Sequence, residues 1–152
     1  MATDESEADA KPETALTDSE LEALHEVELG LEWLQRAQGC LLEFHHATGH
    51  GMDHLDDAER LLRAGGHEAL ADAVRTELLP HGVVDGDRWS YDVLEDFQGT
   101  LLAETAALEA RVRQELADGR RHVPERRQER RWKERADRAR PKATERASRD
   151  DE

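Results

Sequence analysis

Apolar residues recur along the first half of the chain at Leu24, Val27, Leu31, Leu34, Leu41, Met52, Leu55 and Leu62, and Gln38, His45, Thr48 and Glu59 fill the gaps in phase. Alternating three- and four-residue steps keep these positions on one side of a helix. The phase holds to about Ala64, which predicts one helix over residues 18 to 64. Its start is marked by Thr17-Asp18-Ser19-Glu20, a capping box in which Thr17 accepts from first-turn amides and Glu20 reaches back. Gly49 and Gly51 fall inside the run, each weakening a helix by roughly 1 kcal/mol relative to Ala. A loop would have no reason to keep the phase across them, so a continuous, kinked helix is expected. Gly65-Gly66 is a stop.

A short helix is expected over residues 68 to 78, with Leu70, Ala71, Val74 and Leu78 on one face and Pro80 and Gly82 ending it. After a loop over residues 81 to 88, a second long helix is expected from Ser90 to Asp118. Its seam runs through Leu94, Phe97, Leu101, Leu108, Val112 and Leu116, and Gly119 caps it. Pro124 opens a last helix, ending near Arg140, whose one sizeable apolar side chain is Trp132. Neither strand-like alternation nor a solenoid repeat is present, so the fold class is all-α. The expected organisation is a disordered acidic tail over residues 1–16, a helical bundle domain over 17–119 and an Arg-rich helical or disordered tail over 120–152. At about 1.5 Å per residue the first helix would be near 70 Å long and the two later ones together roughly 60 Å. That predicts a long helical hairpin that dimerises into a four-helix bundle. A break at Gly49 to Gly51 would give a monomeric three-helix bundle instead.

Composition changes the picture in two ways. Hydrophobic residues make up 37% and charged residues 38%, so the core must be thin. Asp and Glu number 36 against 21 Lys and Arg, a net charge of −15, and Lys11, Lys133 and Lys142 are the only lysines. Charge this far from zero opposes compaction in dilute buffer, while at molar salt the Debye length falls to about 3 Å and screens it. A salt-rich milieu is therefore expected. The acidic bias and the run Arg88-Trp89-Ser90-Tyr91-Asp92-Val93-Leu94-Glu95-Asp96-Phe97 resemble small acidic helical proteins of haloarchaea, a resemblance that brings no function with it. Cys40, the single cysteine, stands beside Leu41 and Leu42 and is expected to be a buried thiol. The acidic N-terminus does not have the order of a signal peptide, and no stretch nears about 18 apolar residues, so the expectation is a cytoplasmic protein without a membrane span.

Candidate chemistry centres on His45, His46, His50 and His54. Four-residue steps place His46, His50 and His54 in a slowly winding row, and Glu43 completes a Glu-x-x-His pair with His46. Imidazole with carboxylate suits zinc, iron, nickel or copper, so Glu43, His46, His50 and His54 are the candidate metal ligands. Glu95-Asp96-Phe97-Gln98 has Gln where a second His would be needed, leaving further ligands to Glu95, Glu104 or a second copy. The competing reading holds no metal: His45, Gln38 and Thr48 form a polar patch that sets helix register, and the other histidines line a solvated flank.

Residues 120–152 carry a net +5 and residues 1–119 therefore −20. Arg120-Arg121, Arg126-Arg127 and Arg130-Arg131 suit a protein contact or a helix laced by pairs such as Glu129 with Lys133; the acidic body disfavours nucleic acid. Nucleophile elbow, phosphate loop, dinucleotide fingerprint and zinc-protease motif are all missing, which weighs against an enzyme. The sequence thus points first to a small helical interaction or structural protein that self-associates, and second to a metal-binding bundle for storage, sensing or oxidase-like chemistry.

Overall fold

The computed structural model describes residues 16–140; the rest of the acidic N-terminal stretch and the polar end from Pro141 lie outside the described residues. The regular elements among the described residues are helices, with one isolated antiparallel bridge between Val84 and Arg88. Helix α1 is Asp18–Ala64, 47 residues without a break across Gly49 and Gly51. Its capping box forms as expected: the Thr17 amide donates to Glu20 Oε2 at 2.8 Å and the Glu20 amide to Thr17 Oγ1 at 3.2 Å. It ends where Gly66 takes φ +81° and the His67 amide returns to Leu62 O at 2.9 Å.

Helix α2, Glu68–Ala73, runs on through a wider π-helical turn, Val74–Leu78. Helix α3, Ser90–Phe97, continues through a similar turn, Gln98–Leu102, into α4, Ala103–Ala117, and α5 is Val123–Ala139. A π-helical turn holds one residue more than an α-helical one and rotates everything after it. That corrects two expected faces. In the second long helix the covered positions just after the turn are Leu102, Thr105 and Glu109 in place of Leu101 and Leu108, both exposed, while Val112 and Leu116, in the part of the helix from residue 110 on, are covered as the spacing predicts. After α2 it moves from Leu78, also exposed, to Leu79, while Leu70 lies outside the face where Ala71 is buried. In each wide turn a threonine hydroxyl donates to the carbonyl four residues back, Thr76 to Asp72 at 2.7 Å and Thr100 to Asp96 at 2.5 Å. Such bonds compete with the backbone ladder.

The chain divides into two compact units, residues 16–26 with 110–140, and Val27–Glu109. In the first, Leu16, Leu24, Ala117 and Val123 are buried, with Leu21, Val112 and Leu116 packed against them. Arginines close the end of α4 there: Arg113 donates to Gly119 O at 2.9 Å and Arg120 to Ala117 O at 3.0 Å.

The second unit holds most of the length and little apolar interior. Its buried residues are Ala71 and Leu94 together with three polar ones, Glu59, Ser90 and Glu109. Along α1, Val27, Leu31, Leu34, Gln38, Leu41, His45, Thr48, Met52 and Leu55 are all half-buried. The stripe expected from the sequence is the covered one, but its cover is partial. Cys40 is exposed, correcting the expectation of a buried thiol: one residue step turns the helix by about 100°, carrying it off the Leu41 stripe.

Candidate functional site

Glu59 is the most enclosed carboxylate of the second unit, at 2% exposure. It stands on the α1 stripe, where the sequence read it as a gap-filler. Arg63, one turn later, donates to its Oε1 at 2.6 Å and 2.9 Å, and Arg75 approaches the same oxygen at 3.0 Å. Arg63 also donates to Asp72 at 2.8 Å, so α1 and α2 are joined by a carboxylate–guanidinium chain. The hydrogen bond from Arg63 holds the Glu59 carboxyl below its ordinary 4.5, overcoming the upward push of burial, and Arg75 assists. The Arg63 guanidinium is in turn raised above its ordinary value, first by Asp72 and then by Glu59.

Nearer the middle of α1, a hydrogen bond of 2.7 Å joins His45 Nδ1 and Ser90 Oγ. Ser90 is buried at the first turn of α3, where Asp92 reaches back to accept from the Trp89 amide at 2.9 Å. The Tyr91 ring meets His45 edge-on, 6.4 Å between centroids. The preceding loop aims Ser90: Val83 donates to Arg88 O at 2.7 Å, and a Cβ on Gly82 would fall 2.4 Å from the Asp87 carbonyl carbon. His45 thus ties a polar seam position to a buried hydroxyl. Sequence reasoning assigned it to a register-setting patch but offered no signal for Ser90 as its partner.

The first unit contains an open groove of about 560 Å³ between the start of α1 and the start of α5. His25 and Glu125 face each other across it at 3.8 Å, and Arg127 meets Asp18 at 3.3 Å. The His25 Nδ1 atom is shielded from solvent with no hydrogen-bond partner among the described residues. On α5, Lys133 donates to Glu129 at 2.5 Å and Arg126 lies 3.7 Å away; the Lys133 bond chiefly holds the Glu129 carboxyl below its ordinary value. The Glu129 to Lys133 pair is one the spacing predicts.

Glu43, His46, His50 and His54 are all exposed along α1. Among the described residues they do not bring three donor atoms within 4.8 Å of one another. His46 is 5.6 Å from His45, ring centre to ring centre. Glu95 and Glu104, offered by the sequence as completing ligands, are exposed as well.

Comparison with protein families, curated proteins and solved structures finds no match to the chain. Among the described residues no helix is long and apolar enough to cross a membrane.

Proposed function

We propose that this chain is a small helical interaction protein whose working state is a self-assembled one, built for a salt-rich milieu. The observation that carries this reading is the row of half-buried positions on α1 from Val27 to Leu55, with large apolar side chains exposed beside it, Trp33 at 64% and Phe44 at 38%. A helix of this length with partly covered apolar positions gains by burying them against another chain, at about 25 cal/mol per Å² of apolar surface. A bundle completed by a second copy is the arrangement this reading favours.

Two narrower expectations attach to it. The Arg-rich α5 is the proposed contact for an acidic protein partner; its partnering with Asp18 and Glu129 is the kind of pairing such a contact would reuse. Metal binding by Glu43, His46, His50 and His54 would need ligands from beyond those four side chains, so in its dimeric form it presupposes self-association.

Mass action supplies the test. A chain that folds as an assembly unfolds at a temperature that rises with protein concentration. Thermal unfolding followed by far-ultraviolet circular dichroism in molar KCl, over a hundredfold range of concentration, is expected to show that rise. A midpoint independent of concentration would contradict the proposal.

A further inference from the structure

Beside the half-buried stripe, α1 carries a second heptad frame displaced by one residue. Gly30, Trp33, Ala37, Cys40, Phe44, Ala47 and Gly51 follow one another in alternating three- and four-residue steps and lie within an arc of about 100°, using 100° per residue. All seven belong to the second unit. None is charged, in a chain with 38% charged residues. Six are exposed and Ala37 is half-buried.

Its two glycines pack against nothing among the described residues. A Cβ built on Gly30 or Gly51 meets nothing within 4 Å, although both sit inside a helix that glycine weakens. Glycine on an apolar helix face permits close approach of another backbone. The aromatic positions are symmetric: Trp33 stands before the middle of the seam and Phe44 after it. So are the charges on its outer flank, where Arg36 and Glu43 are one heptad apart. The Arg36 guanidinium lies over the Trp33 ring, 4.6 Å from its centroid, and both Arg36 and Glu43 are exposed.

We propose that this second seam docks a second copy of the chain antiparallel, on a two-fold axis passing between Ala37 and Cys40; the proposal rests on the self-association inferred above and names its surface. In that orientation Arg36 of each copy faces Glu43 of the other, an attraction formed twice. A parallel pair in register would instead turn the Arg36 and Glu43 flank of each copy toward the other's Leu34, Leu41 and Thr48, where neither charge finds an opposite one. The antiparallel pair also brings Trp33 onto the Phe44 ring of the second copy, Ala37 beside Cys40, and Gly30 beside Ala47. Closed two-fold assembly of this kind uses one self-complementary patch on both partners.

Engineered cysteines in a Cys40→Ala background, oxidised in molar KCl, test orientation and surface together. An Ala47→Cys change alone is expected to give no cross-linked dimer, because antiparallel copies hold those thiols far apart. Adding Gly30→Cys is expected to give a disulfide-linked dimer; thiols at 30 and 47 of one straight helix cannot meet, being about 25 Å apart at 1.5 Å per residue. An Ala47→Glu variant, whose exposed position leaves the fold intact, is expected to halve the wild-type mass in light scattering. Cross-linking through position 47 alone would overturn the antiparallel orientation. A dimeric Ala47→Glu variant would overturn the surface while leaving self-association standing. A wild type at the monomer mass would overturn both.

Discussion

At the scale of single residues, the second unit is organised by polar side chains where an apolar core would ordinarily sit. Glu59 is buried against Arg63 and Arg75, and the half-buried His45 is bonded to the buried Ser90. Because the folded Glu59 carboxyl titrates below its ordinary 4.5, the stability it contributes is present above that value and is lost as pH falls through the folded value. Acid unfolding is therefore expected to set in below pH 4.5, with Glu59→Gln less stable at neutral pH and less sensitive to acid. Circular dichroism titration of both proteins checks this; parallel acid limbs would contradict it. The place of Glu59 in the helical phase was legible in the sequence, since the seam needed a residue there. Its partner Arg75 was not, because nothing in one sequence reports which residues of α2 and the π-helical turn after it face α1.

At the scale of elements, periodicity located the helices well and their faces less well. The capping box at Thr17 and Glu20, the unbroken α1 and the stop at Gly66 all follow from local chemistry that a sequence displays. The exposed Leu78, Leu101 and Leu108 do not, because a single extra residue in a π-helical turn turns the face beyond it, and an α-helical wheel has no means to register that. Cys40 was misplaced for a simpler reason: adjacency to Leu41 along the chain is not adjacency on a helix. Gly39 lies outside both seams of α1, and a Cβ there meets nothing within 4 Å. Gly39→Ala is accordingly expected to stabilise the protein by about 1 kcal/mol, the difference in helix propensity. Thermal unfolding checks this; destabilisation would mean that this face of α1 is also in close contact with a partner.

At the scale of the whole molecule, the sequence carries 36 acidic residues, and the described residues bury little apolar surface. Self-repulsion is expected to hold the chain partly unfolded in dilute buffer and to be screened in molar KCl. Helix content measured by circular dichroism should therefore rise with KCl, and full helicity at low ionic strength would remove the proposed salt requirement. The metal reading of Glu43, His46, His50 and His54 followed from helical spacing, which places residues on a face without supplying what stands opposite. That missing opposite surface is also what the exposed positions of α1 raise most directly. The mass of the wild-type protein in molar KCl, measured by light scattering, addresses it: self-assembly predicts at least twice the 17.2 kDa of one chain, and a single species at 17.2 kDa over the accessible concentration range would contradict the account.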